Sequence, residues 1–594
     1  MCGIVGCIGK INAKKYLIDG LKTLDYRGYD SAGLALLEKT DVKIFKTVGA
    51  VDYLNNLTPD DINAYSGIGH TRWATHGMPS ERNCHPVQSM NKDITLVHNG
   101  TIENFLELKK ELLSIGYTFE SDTDSEVIAD LIEEAIKING GKILEALSTT
   151  MYQLEGSFAC AIICKNDLSR LYVMKRSSPM MIGHGDGFNL LASDAVPIIQ
   201  HTKQIIDLED NQIGTISDKE IHLYDQDLVP VDIVYSNKEP SLLTKDLNGY
   251  PHFMLKEIEE IENVVRRLCL SYFDGDNFTF NRRLMNDLHY CDSVIFLGCG
   301  TSYHASLVGA RFFRKQGIDA SVFIASEWAY YPQIPGKNPF IILLSQSGET
   351  ADLIHCMRIV KEKKIKSLVI TNTKGSTLER SCDYSILLNA GLEVSVASTK
   401  AYSAQVAALA LLTSALKKRT KVIDELNQCC KIISEIRVKN KDKIKAMAEK
   451  LKDNQHLFFL GRGYDYDFSL EASLKLKEIS YIHSEAFPGG ELKHGPIALI
   501  DKNTPVIIFI TDPNTAASMR NNIQEVKARG ADVYVVSTKK LSKDTDFIVV
   551  DEYPIYLSSV AISSIAFYFA YFVSVAKGFN VDKPRNLAKS VTVE

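Results

Sequence analysis

The chain has 594 residues, 45% of them hydrophobic and 24% charged, with a net charge of −6. That length predicts about three to five domains, and an acidic balance without any basic block argues against a nucleic-acid partner. The 12 cysteines form no paired C-x-x-C sets and no His/Cys cluster with zinc spacing, and no secretory signal opens the chain, so a cytoplasmic enzyme with reduced thiols and no bound metal is expected.

From residue 2 to about 233 the pattern is β-rich. Alternating strands such as 94–98 and 158–164 are broken by Gly, Asn and Asp turns. A helix is predicted over about 104–115, and another after Asp124, where Ile128, Leu131, Ile132 and Ala135 fall at helical spacing. Residues 235–249 turn polar and read as a linker, followed by a charged helix over 254–270. Short apolar strands then alternate with long helices. The strands at 293–297, 340–344 and 367–371 each lead into a Gly- or Ser-rich turn and a helix. This is βαβ patterning, which predicts a parallel sheet covered on both faces, with ligands at the carboxyl ends of its strands. The frame recurs: 457–463 (LFFLGRG) echoes 294–300 (VIFLGCG), and 505–511 echoes 339–345. Two related α/β domains are therefore expected over about 290–420 and 455–580, joined by the charged helical stretch 424–452. Residues 553–576 carry no charge and approach the ~20 residues of a membrane span, but Pro554 and five serines favour a buried core helix.

The chain opens Met1-Cys2-Gly3. Removal of the initiator Met would leave Cys2 with both a thiol and a free α-amine of pKa ~7.7–8.0, able to act as base for its own side chain. An early cysteine alone is usually accidental, but its companions change that. Residues 26–33 (YRGYDSAG), 69–77 (GHTRWATHG), 83–86 (NCHP), 98–100 (HNG) and 122–126 (DTDSE) follow in order. Together these blocks resemble the class-II glutamine amidotransferase domain, an N-terminal nucleophile fold of two sheets between helical layers. The resemblance implies that Arg72 holds the α-carboxylate of glutamine and Asp124 its α-ammonium. Asn99 and the N–H of Gly100 would form an oxyanion hole, worth ~3–4 kcal/mol per donor. It also implies that Thr75 and His76 line the glutamine pocket, that Arg27 orders the region of Cys2, and that Trp73 gates the passage of ammonia. His70 and His85 have a simpler reading as hydrogen-bonded histidines in a polar loop.

In the first α/β repeat, 298–302 (GCGTS) and 345–350 (SQSGET) each follow a strand and lead into a helix. Backbone N–H groups and hydroxyls at two neighbouring strand ends make an anion site without a lysine or a metal. These loops resemble the sugar isomerase domain. The resemblance implies that Thr301, Ser302, Ser345, Gln346, Ser347 and Thr350 hold a sugar phosphate, with Val396 and Ser398 at a third loop, 394–400 (VSVASTK), and Ala588 on the tail. The second repeat lacks the hydroxyl loops, so a second substrate phosphate is not expected there.

That second repeat carries 471–480 (EASLKLKEIS) and 490–496 (GELKHGP), and the chain ends 582–594 (DKPRNLAKSVTVE). Glu471, Lys475 and Glu478 would share one helix face, a spacing that by itself more often makes an exposed salt-bridge ladder. With the tail, however, nearly the whole chain resembles the glutamine–fructose-6-phosphate aminotransferase family, also called glucosamine-6-phosphate synthases, at the length of the bacterial forms. The resemblance implies domains at 2–235 (amidotransferase), 236–285 (linker and helical connector), 286–425 and 453–584 (sugar isomerase domains), and a catalytic tail at 585–594. His494 would open the sugar ring, Lys589 would form a Schiff base with the C2 ketone, Glu478 would move a proton between C1 and C2, and Lys475 would assist at the sugar hydroxyls. No cofactor is needed for this scheme. The expected partners are glutamine, fructose 6-phosphate and a second copy of the chain bound through the isomerase half, with no nucleic acid and no membrane. Eukaryotic relatives carry a long interdomain insertion and are inhibited by a nucleotide sugar; the short linker here argues against such control. Two other readings remain open at this point, an amidotransferase for a different keto-sugar phosphate and a non-catalytic sugar-phosphate sensor.

Overall fold

The computed structural model describes residues 2–24, 30–38, 41–73, 77–237 and 247–591. The chain divides into two compact units. One comprises residues 1–244 together with the last five residues, the other residues 245–589.

The first unit is built on two antiparallel sheets, of eight and seven strands. In strand Gly3–Gly9, Ile4 and Ile8 point to one face and Val5 and Cys7 to the other. This period of two lets a single strand serve two cores. Ile4, Ile8 and Ile68 of the larger sheet meet Val97, Ala161 and Val173 of the smaller one, forming the layer between the sheets. The outer face of the larger sheet packs on helix Ala13–Leu24, and that of the smaller on helices Phe105–Ser114, Asp124–Ile138 and Ile143–Gln153. The result is the expected four-layer αββα sandwich. The alternating runs at 94–98 and 158–164 lie within strands Ile94–Ile102 and Gly156–Cys164, which pair with each other.

The second unit holds two five-stranded sheets whose pairs are all parallel. Along one sheet the strands run Asp319–Ile324, Ser293–Gly298, Pro339–Ser345, Lys366–Thr371 and Tyr384–Leu387. Along the other they run His483–Pro488, His456–Gly461, Pro505–Ile510, Asp532–Thr538 and Ile548–Val550. In both, the sequence order is second, first, third, fourth, fifth. The two echoed segments thus occupy equivalent positions, and the repeat is real at the level of topology. The stretch after residue 421 forms helices Val422–Glu435 and Lys441–Leu451 joined by a π-helical turn, Ile436–Asn440. The charge-free segment is Ile555–Ala576, which is mostly buried inside the unit, packed on helices Phe253–Tyr272, Lys441–Leu451 and Tyr464–Ser480. It is a core helix, and two of its serines find partners within that core: Ser563 with the Ser403 hydroxyl, Ser574 with the carbonyl of Ile479.

Candidate active sites

In the first unit, strand Gly3–Gly9 pairs with strand Ser66–Arg72, so that Cys2 comes beside Trp73. The Trp73 N–H donates to Cys2 Sγ at 3.3 Å. Asn99, on strand Ile94–Ile102, donates from Nδ2 to the Cys2 carbonyl at 3.1 Å. His70 fixes the orientation of that amide. Its Nε2 lies 3.0 Å from both the His98 carbonyl and Asn99 Oδ1. A carbonyl can only accept, so Nε2 carries the proton, the Asn99 oxygen faces it, and the amide nitrogen is turned toward Cys2. Burial holds His70 down at about 3, against a weaker upward pull from Asn99, so it stays neutral. His85 stacks on it with ring centroids 4.2 Å apart and accepts from the His98 N–H through Nδ1. Gly100 has φ +136°, and a Cβ there would lie 2.0 Å from the Ser157 carbonyl. Only glycine fits beside the amide donor.

Asp124 begins helix Asp124–Ile138 and is buried. Its carboxylate accepts from the Ile102 N–H at 3.0 Å and the Ser125 hydroxyl at 3.3 Å. Arg72 is buried at the end of its strand and donates to the Gly77 carbonyl at 3.2 Å. Burial pushes the Cys2 thiol up, while the Trp73 hydrogen bond and the Arg72 charge oppose this and the Asp124 charge adds to it. A cation and an anion at the same thiol suit a zwitterionic amino acid whose side chain reaches the sulfur.

In the second unit, Thr301 and Ser302 occupy the first turn of helix Gly300–Lys315, at the carboxyl end of strand Ser293–Gly298. Gln405 Nε2 donates to Ser302 Oγ at 3.0 Å. At the next strand end, the Ser345 and Thr350 hydroxyls lie 2.9 Å apart, and the Gly348 N–H donates to Ser345 Oγ at 3.0 Å. The Gln346 carbonyl accepts from the Asn372 N–H at 3.0 Å, and Ser347 Oγ from the Glu349 N–H at 3.2 Å. Hydroxyls and a helix N-terminus converge there, the arrangement an anion requires.

Glu471, Lys475 and Glu478 share one face of helix Tyr464–Ser480, as expected, but the face is buried rather than exposed. Lys475 is 1% exposed and Glu471 0%. Lys475 Nζ lies 2.5 Å from Glu478, 3.4 Å from Glu471 and 3.0 Å from the Thr301 hydroxyl. Burial raises Glu478, partly offset by Lys475, and Glu471 adds to the rise. A carboxyl held above its ordinary range exchanges a proton more readily near neutrality.

Lys589 also has a carboxylate, Glu393, with both side chains at most 4% exposed. Glu393 is itself tied to the third loop, accepting from the Thr399 and Ala401 N–H groups at 2.9 and 3.1 Å and from Ser398 Oγ at 2.9 Å. Burial works against its ionised form, but Lys589 and these donors bring it below the ordinary carboxylate range. Asp582 fastens the tail. Its carboxylate caps helix Phe253–Tyr272 through the Phe253 and Met254 N–H groups, and its carbonyl accepts from the Val396 N–H at 3.0 Å. His494 ends a short 3-10 turn, Glu491–His494, is exposed, and makes none of the hydrogen bonds of this cluster among the described residues.

Two family models match the chain: the glutamine amidotransferase domain over residues 70–200, and the SIS domain twice, over 287–415 and 450–572. Among curated proteins, the glutamine–fructose-6-phosphate aminotransferase (isomerizing) of Bacillus licheniformis is 43% identical, and that of Streptococcus pneumoniae 41%, each alignment covering 100% of both chains. The chain belongs to the glutamine–fructose-6-phosphate aminotransferase (isomerizing) family. The solved C-terminal domain of glucosamine-fructose-6-phosphate aminotransferase from Francisella tularensis is also similar, at 33% identity with a TM-score of 0.54, covering 58% of this chain and 100% of that one. The amidotransferase and tandem isomerase architecture expected from the sequence is therefore that of the family.

Of the expected site residues, Cys2, Trp73 and Asn99 are joined by direct hydrogen bonds, with Gly100 next in chain and Arg72 and Asp124 acting on the thiol by charge. Thr301, Lys475 and Glu478 form a second group, and Lys589 joins Ser398 through Glu393, with Val396 tied to the tail and Ala588 half-buried beside Lys589. Arg27, Thr75 and His76 lie outside the described residues. The expectation of a polar loop for His70 is corrected: it sits in the buried strand Ser66–Arg72 and orients Asn99. Sequence reasoning missed Glu393 and His304. Glu393 lies one residue before the quoted loop 394–400, and an acid opening a Ser/Thr-rich loop was the available signal.

Proposed function

We propose that this chain converts D-fructose 6-phosphate and L-glutamine to D-glucosamine 6-phosphate and L-glutamate, the first step toward amino-sugar polymers. The observation that carries this reading is the co-occurrence of two separate clusters in one chain: a cysteine with an aligned amide donor, and a buried Lys475–Glu478 pair beside a hydroxyl-lined strand end. Membership of the family supports it.

In the first cluster, Cys2 attacks the side-chain amide of glutamine once the initiator Met is gone, and the α-amine takes the thiol proton. Asn99 Nδ2 and the Gly100 N–H stabilise the oxyanion, while Arg72 and Asp124 hold the two charged ends of glutamine. The family resemblance adds glutamine binding for Thr75 and His76 and ordering of the Cys2 region for Arg27. In the second, Thr301, Ser302, Ser345, Gln346, Ser347 and Thr350 hold the phosphate, and Val396, Ser398 and Ala588 line the sugar. Lys589 forms a Schiff base with the C2 ketone, which ammonia displaces. Glu478 then takes the proton from C1 and returns it to C2, and Lys475 keeps that carboxylate charged and aimed. His494, exposed in its own chain, reaches the sugar of a neighbouring subunit and opens the ring, so the working form is a homodimer through the isomerase half. The site of action is the cytoplasm.

Incubation with both substrates should yield glucosamine 6-phosphate and glutamate in equal amounts. Glutamate release with no amino sugar, at any fructose 6-phosphate concentration, sinks the assignment.

A further inference from the structure

Two carboxylates, Glu471 and Glu478, compete for the single ammonium of Lys475, and the structure shows which prevails. Nζ is 2.5 Å from Glu478 but 3.4 Å from Glu471. The reason lies on the other repeat. His304, one turn into helix Gly300–Lys315, donates from Nδ1 to Glu471 Oε2 at 2.8 Å, and Thr301 Oγ1 donates to Glu471 Oε1 at 3.0 Å. Glu471 is 0% exposed, so water cannot supply these donors. A buried carboxylate left short of donors draws in the nearest cation. With His304 and Thr301 occupying both oxygens of Glu471, Lys475 is released toward Glu478, and the Thr301 hydroxyl also accepts from it at 3.0 Å. The same two helices are linked a second time by Arg311 and Asp467. On the first helix the partners run 304 to 311 while on the second they run 471 to 467, so the helices cross in opposite senses and the two links hold them in register.

We propose that His304 is a positioning residue for the isomerisation step: by occupying Glu471 it aims Lys475 at Glu478. This rests on the reading above that Glu478 moves the proton. Thr301 and Ser302 lie in the preceding turn of the same helix, so His304 also ties the phosphate loop to the proton-moving carboxylate across the interface between the repeats.

The test compares His304→Phe with His304→Asn in the full-length enzyme. An asparagine amide nitrogen sits close to where imidazole Nδ1 was and can donate to Glu471; phenylalanine fills the space without donating. For His304→Phe, kcat of glucosamine 6-phosphate formation should fall roughly 10- to 100-fold. The KM for fructose 6-phosphate should stay within about twofold of wild type, because the phosphate loops keep their own hydrogen bonds. His304→Asn should recover kcat to within a few-fold of wild type. Glu471→Gln serves as the second probe: it removes the charge that competes for Lys475, so adding His304→Phe to it should lower kcat by no more than a few-fold, and a full loss of roughly 10- to 100-fold in that background would overturn the inference. Equal losses in the Phe and Asn variants would assign His304 to packing alone and overturn the inference, as would a Phe variant with wild-type kcat. A wild type that forms no glucosamine 6-phosphate in the same assay overturns the functional reading and this inference with it; a normal wild type beside unaffected variants overturns only the latter.

Discussion

Glu257 provides a test of the buried electrostatics behind the third loop. It lies on helix Phe253–Tyr272, is 1% exposed, and accepts from the Val394 and Ser395 N–H groups through Oε1. Burial, and then the neighbouring Glu393 charge, push it from an ordinary 4.5 up to about 8, against weaker downward pulls from Lys589 and Lys400. The folded state therefore prefers the protonated form. Relative to a group with an unchanged pKa, this preference is fully available below the unfolded value of 4.5 and is lost as pH rises through the folded value near 8. At 1.36 kcal/mol per pKa unit, the native state gives up about 3 kcal/mol at pH 7 and reaches a ceiling of about 5 kcal/mol above pH 8. Glu257→Gln keeps the Oε1 acceptor and cannot ionise. It should match wild type near pH 4.5 and gain on it as pH rises. In a unit of this size one kcal/mol corresponds to roughly 1–2 °C, so the melting temperature should exceed wild type by about 4 °C at pH 7 and more at pH 8.5. Differential scanning calorimetry of both proteins from pH 5 to 9 measures the difference directly, and groups common to both cancel. A variant less stable than wild type by a constant amount, or an advantage that shrinks with pH, would refute the account of Glu257 as a buried neutral carboxyl.

Four further outcomes are expected. Cys2→Ala should abolish glutamine hydrolysis while fructose 6-phosphate binding, followed by calorimetric titration, is unchanged; glutamate release at the wild-type rate would exclude Cys2 as nucleophile. Asn99→Ala removes one oriented donor and should lower glutaminase kcat about 10²- to 10³-fold with little change in KM, so an effect confined to KM would move Asn99 from the oxyanion to ground-state binding. Lys589→Ala should prevent borohydride trapping of sugar on the protein and leave glutaminase activity intact; an adduct forming as readily as on wild type speaks against the Schiff base. His494→Ala and Lys589→Ala chains, each inactive alone, should recover up to roughly half of the activity per mixed dimer, since contacts across an isologous interface are reciprocal. Subunits that exchange without any recovery would place His494 at its own chain's site.

The parts of this architecture legible in the sequence are those where periodicity is local. Strand Gly156–Cys164 alternates and pairs with the equally legible Ile94–Ile102; in the second unit, strands Ser293–Gly298, Pro339–Ser345 and His456–Gly461 are short apolar runs ending in glycine or serine. Strand Ser66–Arg72 was invisible for a physical reason. Its sequence, SGIGHTR, has one large apolar residue, because a Cβ at Gly67 would come 2.5 Å from the Ala35 carbonyl on the neighbouring strand. Close approach of backbones removed the hydrophobic signal, so His70 looked like a loop residue.

The candidate site residues divide along the same line. Those proposed from contiguous blocks, Cys2, Asn99, Gly100 and Lys589, were legible as candidates in the sequence; the groups that pack against them were not. Glu393 meets Lys589 across 196 residues, and His304 meets Glu471 across 167. No spacing rule connects such pairs, because each exists only once two helices or a tail and a loop have packed. The consequence reaches the chemistry. Within the helix, Glu471, Lys475 and Glu478 read as an ordinary salt-bridge ladder, worth a few tenths of a kcal/mol on a solvated face. Packing helix Gly300–Lys315 against that face removes the water and makes every donor count. A lysine in solution would move between its two acid neighbours, whereas here it is committed to Glu478 by donors that another repeat supplies. The tandem repeat therefore does more than duplicate a sheet: the first repeat provides the hydroxyl-lined strand ends and the second the buried Lys475–Glu478 pair. The interface between them, through Thr301 and His304, decides the direction in which Lys475 points.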